Sequence, residues 1–253
     1  MSRTATPRGA IAFVAAGVAV LLFAASLLVV AAVRGVLPGT ADCEATVGER
    51  SVELSTDEAE TAAAVAARAV RLRLGLAASA DAVAETADLS AADARVVASA
   101  LTGRSRHALS CTHGGADDEE SDRLDRSGLT ARASTVRRDR DDAFGRQAVG
   151  GFAPGGVTSG HMPGSAHYEG RAVDDFVRPI SPGNKKKGWA IAHYLVAQAE
   201  RLEIETVIFD GRIWTARRAG QGWRDYEPDT SGRSRAVAAI LEHRDHVHVD
   251  VAD

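Results

Sequence analysis

Two stretches decide how this chain is read: Ser165-Ala-His167-Tyr-Glu-Gly170-Arg-Ala172-Val-Asp174-Asp175 and, near the C-terminus, Asp245-His246-Val-His248-Val-Asp250-Val251. Six of the eight histidines follow Gly150, so the search for chemistry starts there. In the second stretch, strict alternation puts His246, His248 and Asp250 on one face of a strand and Val247, Val249 and Val251 on the other. Ala172-Val-Asp-Asp-Phe176 also reads as a strand, and its period alone fits either Asp174 or Asp175 to a site. Gly170 permits a tight bend, so that His167 and a carboxylate seven positions on can point at a common centre. Catalytic zinc takes three protein ligands from His, Asp and Glu and leaves a fourth position open. His167, Asp174 and His248 supply that count.

The first stretch meets every fixed position of the pattern Ser-x-His-x-x-Gly-x-Ala-x-Asp. With the late His248, it resembles the VanY-like D-Ala-D-Ala carboxypeptidases and the wider zinc-peptidase group that includes lysostaphin-type enzymes and hedgehog signalling domains. From Gly150 onward the chain looks most like exported actinobacterial proteins with a VanY-like C-terminal domain. The resemblance implies Zn2+ held by His167, Asp174 and His248, and it selects Asp174 over Asp175. It also implies hydrolysis of peptide bonds in peptidoglycan stem peptides, with zinc polarising the scissile carbonyl and making water acidic near pH ~7. Asp245, three residues before His248, matches the acidic-x-x-His arrangement of some relatives' general base. A regular strand would turn Asp245 away from His248, so Asp245 and His246 stand as joint candidates, with a slight lean to Asp245. Ser165 is expected to support the site, and Arg171 or Arg212 to bind a substrate carboxylate. The rival expectation is a non-catalytic module that keeps the zinc cage and binds wall peptide or a protein partner.

Outward from these motifs, the chain has 253 residues, 25% of them charged, and a net charge of −4, too little excess charge for an electrostatic nucleic-acid binder. Gly9 to Val33 is an uncharged apolar run long enough to cross a membrane as a helix. Arg3 and Arg8 precede it, which favours a cytoplasmic N-terminus and a single-pass plasma-membrane anchor with the bulk outside. Cys43 and Cys111, the two cysteines, then lie in an oxidising compartment and are expected to pair.

Four segments follow: 1–34, cytoplasmic tip and anchor; 35–113, an Ala-rich all-helical unit; 114–143, a charged linker and a helix; 144–253, the peptidase-like domain. The division is compositional, since residues 35–143 contain no Phe, Tyr or Trp, whereas all three Trp and all three Tyr come later. Ser55-Thr-Asp-Glu58 is a capping box, and Ser90-Ala-Ala-Asp93 opens a second helix. Gly114 to Gly128 reads as a solvated linker. Gly188 to Leu202 reads as an amphipathic helix, capped near Asn184 and with His193 on its surface. Asp210-Gly211 marks a hairpin. Trp214, Trp223 and Tyr226 are expected in packing roles, and His161 and His243 as supporting groups near the site. The expected fold is α+β, a small antiparallel sheet carrying the ligands with helices packed behind it.

Overall fold

The computed structural model describes residues 41–253. The apolar run Gly9 to Val33 lies outside the described residues. Among the described residues, no helix is long and apolar enough to cross a membrane.

The N-terminal part begins with strands β1 (Cys43–Val47) and β2 (Arg50–Leu54). In β1, Cys43 and Ala45 are buried while Glu44 and Thr46 face out, and Gly48 at φ +64° turns the chain into β2. Three helices follow: α1 (Thr56–Arg71), α2 (Leu76–Thr86) and α3 (Ala91–Leu101). The capping box is present, with Ser55 Oγ accepting from Glu58 N–H at 3.3 Å and Glu58 Oε2 accepting from Ser55 N–H at 2.8 Å. Strand β3 (Leu109–Cys111) returns beside β1, giving a sheet of order β2-β1-β3. Cys43 and Cys111 sit directly opposite each other in that sheet and are bonded, with α-carbons 3.9 Å apart.

This part is therefore mixed α and β rather than all-helical. Its strands are five, five and three residues long, too short for their alternation to stand out from a turn. The first helix ends at Arg71, and Gly75 caps α2.

Residues 114–130 are anchored by their charges. The Arg132 guanidinium holds Asp118 Oδ1 at 2.8 Å and the Glu203 carboxylate, while Glu120 Oε1 accepts from Arg132 N–H at 2.6 Å. Helix α4 (Ala131–Phe144) follows, capped by Thr130.

The second sheet is antiparallel throughout, in the order β4-β5-β9-β6-β7-β8. Its strands are β4 (Val149–Gly150), β5 (Ala172–Phe176), β6 (Ile204–Phe209), β7 (Arg212–Thr215), β8 (Arg224–Asp225) and β9 (His246–Val251). Asp210 and Gly211, both at positive φ, make the expected β6–β7 hairpin. Helix α5 (Pro182–Ala197) packs behind the sheet, and the short α6 (Arg235–Leu241) precedes β9. Ser181, with Pro182 at the first helical position, is the α5 cap, and it accepts from Asn184 N–H at 3.2 Å.

From Gly188 to Ala197 every residue of α5 is buried, so the helix is central rather than amphipathic. It is covered on one side by the sheet and on the other by α1 and α3. His193 is correspondingly buried, not on the surface. Its Nε2 accepts from Ala108 N–H at 3.0 Å and its Nδ1 bonds the Ala100 carbonyl at 2.8 Å, which fixes the neutral tautomer. Trp214 and Trp223 donate their indole N–H groups to the Cys111 and Leu109 carbonyls, at 3.1 and 2.7 Å. The two compositional regions thus share one core.

Two outcomes follow. Reducing Cys43–Cys111 should cost about 2–4 kcal/mol, a Tm fall of roughly 5–15 °C for a chain of this size, measurable by thermal melts with and without reductant. An unchanged Tm would show that the bond does not restrain the fold. The second concerns pH. Burial pushes the His193 pKa from 6.5 down to about 4, against the pull of the Ala100 carbonyl. The unfolded chain then takes up a proton that the folded one refuses. This contribution is complete above pH 6.5 and is lost as pH falls toward 4, by about 3 kcal/mol. His193→Gln should flatten that part of a denaturation-versus-pH profile, and parallel profiles would refute it.

Candidate metal centre

Antiparallel pairing of β5 with β9 sets Asp174 directly opposite His248, and Phe176 opposite His246. The third member arrives on a 3-10 turn, Ala166–Glu169, capped by Ser165, whose Oγ accepts from His167 N–H at 3.4 Å. Gly170 closes that turn at φ +71°, and a Cβ there would press on Leu124 and the Gly128 carbonyl. The tight bend expected at Gly170 is therefore what returns the chain into β5.

His167 Nε2, Asp174 Oδ1 and His248 Nδ1 come together as a nearly equilateral triangle, with edges of 3.1 Å between the imidazoles and 3.2 Å from each to the carboxylate. Donors bound tetrahedrally at about 2.0–2.1 Å from one ion stand roughly 3.3 Å apart, so the triangle has the size of one face of such a site. The far nitrogen of His248 contacts Asp250 Oδ2 at 3.3 Å, an arrangement that orients a metal-binding imidazole. Burial opposes charge on His248, yet Asp174 and Asp250 outweigh it and push its pKa up to about 9. Burial likewise works against an ionised Asp174, but hydrogen bonds from His167 and His248 hold it well below the usual carboxylate range. The pocket favours positive charge where the three donors meet.

His161 adds a further donor, because its ligand atom lies within 4.8 Å of those of His167 and Asp174, and its ring stacks on His167 at 4.0 Å. Tyr168 fixes this residue, accepting from His161 N–H at 3.0 Å. A His/His/Asp cluster able to hold a metal ion is thus present. The identity of the neighbouring carboxylate is also resolved, since Asp175 points away, to the buried Arg140 guanidinium at 2.6 Å. Burial raises the Asp175 pKa in spite of that partner.

The cluster lines a cleft of about 910 Å³. His246 Nε2 looks into it, 3.7 Å from Asp174 Oδ1, and its Nδ1 is held by Asp245 Oδ1 at 2.7 Å. Asp245 itself does not reach the cluster; its other oxygen accepts from Arg178 Nε at 2.6 Å. His243 stands beside both strand histidines, with ring centroids 4.6 Å from His246 and 5.5 Å from His248. Burial, reinforced by those neighbours, lowers its pKa to about 3.

Of the two arginines singled out by sequence, Arg171 lines the cleft, but its guanidinium is taken up by the Glu169 carboxylate and the Val251 carbonyl. Arg212 lies outside the cleft, paired with Asp225 at 2.9 Å, because it projects from the far strand pair β7–β8. Sequence reasoning missed Arg178 and Gly151. Arg178 lies just beyond β5, where no pattern marks it. Gly151, at φ +83°, packs against the His167 ring so closely that a Cβ would overlap it. The signal for the latter was the Gly150-Gly151 pair leading into the motif.

Residues 125–237 match the family model described as VldE, C-terminal domain. The match takes in His161, His167 and Asp174 and ends before His246 and His248. No curated protein and no solved structure matches the chain. The resemblance to VanY-type peptidases therefore rests on the sequence motif.

Gly151→Ala should displace His167 and, in protein loaded with a divalent metal, lower the bound metal to a small fraction of one ion per chain, with the fold intact by circular dichroism. His248→Ala should do the same by removing a donor. Full metal retention in either variant, measured by elemental analysis after dialysis, would contradict the assignment.

Proposed function

We propose that the cleft is the active site of a zinc-dependent peptidase acting on peptidoglycan stem peptides, in a chain anchored to the membrane through the run Gly9 to Val33 and facing outward. The observation that carries the reading is the donor triangle of His167, Asp174 and His248 beside a histidine that faces it without belonging to it. Zinc held there supplies a Lewis acid that polarises an amide carbonyl and acidifies water.

The protein's own groups account for the proton. His246 Nε2 is placed to take a proton from the attacking water and return it to the departing amine. Asp245 accepts from His246 Nδ1–H, which leaves Nε2 as the basic atom and stabilises the imidazolium once it forms. The base role thereby moves from Asp245, favoured slightly by the motif, to His246. Asp245 becomes the residue that positions it. The carboxylate is already engaged on both oxygens, by His246 and Arg178, and has none turned toward the cluster.

One observation favours a second reading, a closed zinc site in a wall-binding module. His161 is near enough to His167 and Asp174 to act as a fourth protein donor, and four protein ligands characterise structural sites.

The two readings separate on muropeptide digestion. Peptidase action predicts chelator-sensitive cleavage by the parent, a loss of about 10² or more in kcat for His246→Ala with zinc retained, and a smaller loss for Asp245→Asn. Full activity in His246→Ala would overturn the assignment of the base. Cleavage seen only in His161→Ala, with none in the parent, would favour the closed site.

A further inference from the structure

Three turns of the chain converge beside the start of α5. Gly103, at φ +69°, lets the turn after α3 lie directly on the first turns of α5, where a Cβ would overlap the Lys186 carbonyl. The link from α1 to α2 closes the other side. Between them run two adjoining cavities, of about 520 and 750 Å³, that share Arg104 and Lys186 on their walls. Arg106 and Lys185 also line the first, and Arg71, Arg73 and Lys187 the second, with no carboxylate on either. Seven cations in one groove are a strong local excess in a chain of net charge −4. Among the described residues, only Lys185 of the seven has a carboxylate partner, Asp210 at 2.5 Å. Burial, and after it the neighbouring Arg104 charge, lowers the Lys186 pKa. Trp189, almost wholly buried on the wall of the first cavity, has an indole N–H without an acceptor among the described residues. Buried donors are rarely left so. Cations without counter-ions and a donor without an acceptor both fit a ligand that only accepts, such as a phosphate group. The rim, by contrast, is apolar. Leu72, Leu74 and Ile180 are 57, 44 and 46% exposed, half of the six large hydrophobic side chains exposed among the described residues.

We propose that this groove docks the chain on anionic phospholipid, its cations holding headgroup phosphates while Leu72, Leu74 and Ile180 enter the boundary with the acyl chains. The proposal rests on the anchor in the reading above and not on the peptidase chemistry. A small free anion would be held by the cations alone and would leave the exposed aliphatic rim unused. Basic side chains beside exposed aliphatic ones are the combination that binds a lipid interface. The tether favours the same occupant. Eight residues separate Val33, the end of the apolar run, from Ala41, a reach of no more than about 30 Å even when fully extended. The described residues therefore begin within that distance of the bilayer. Arg178 on the metal cleft and Ile180 on the groove are two positions apart, a span of at most about 7 Å. A docked chain thus holds the cleft close to the lipid surface, where membrane-proximal substrate is met first.

The test uses the full-length chain without added metal, so that no outcome depends on peptidase activity. It is reconstituted into lipid nanodiscs of phosphatidylcholine alone or with about 30% phosphatidylglycerol, and amide hydrogen exchange is followed. Residues 71–75 and 103–107 should exchange about 10-fold more slowly in the anionic discs, while β9 exchanges alike in both. The difference should vanish in about 1 M salt, which screens charges beyond roughly 3 Å. Arg104→Gln combined with Lys186→Gln should remove most of it, and Leu72→Ser combined with Leu74→Ser a part. Unchanged protection of β9 shows that a variant is folded, and if one is not, the salt dependence of the parent decides. Equal exchange in the two discs, or a difference that persists in high salt, overturns the docking face and leaves the anchor standing. Slowing by inorganic pyrophosphate in neutral discs, with none from phosphatidylglycerol, also overturns it, in favour of a free anion. A chain that enters no neutral disc but binds anionic ones sustains the groove and overturns the anchor. Binding to neither overturns both.

Discussion

Everything at the centre depends on one register, the pairing of Asp174 on β5 with His248 on β9. Shifted by one residue, β9 would present Val247 or Val249 to Asp174, and both histidines would turn into the core. The valines prevent this. Val247, Val249 and Val251 are almost wholly buried on the opposite face, so the hydrophobic packing that stabilises the sheet also aims the histidines. Core and chemistry are two faces of one six-residue strand. His167 needs a separate device, the capped 3-10 turn, and a backbone without side chain at Gly151 to make room for its ring.

The N-terminal half contributes no donor to the triangle, but it covers the helix on which the sheet rests. Helix α5 is buried around its circumference, which requires a second layer on the side away from the sheet. Alanines along α1 and α3 supply that layer at close range, and His193 joins it by satisfying the Ala108 N–H and Ala100 carbonyl. A buried polar group so placed is costly to leave unpaired. The absence of aromatics in this half therefore reflects close helix packing, not a separate, loosely attached module.

The site was more legible than its setting. Alternation in His246-Val-His248-Val-Asp250-Val251 states both the strand and its faces, and a hairpin at Asp210-Gly211 follows from two residues able to take positive φ. What pattern could not decide was tertiary. Asp174 and Asp175 are equivalent by period, and the buried Arg140 on α4 claims only one of them. Asp245 and His246 are both candidates by sequence, and only their tertiary contact shows that His246 alone faces the cluster. His193 sits on a helix whose polar residues suggested an outer face, but the covering layer comes from elsewhere in the chain. The short strands β1 and β3 pass unnoticed in sequence because their stability lies in the disulfide and in two distant indoles.

We propose that one divalent ion sits where these three side chains meet. Anomalous diffraction at the zinc edge, on crystals of the zinc-loaded protein, tests it most directly. A single strong peak is expected within about 2.0–2.2 Å of His167 Nε2, Asp174 Oδ1 and His248 Nδ1. A peak held by other residues, or none there at saturating zinc, would contradict it.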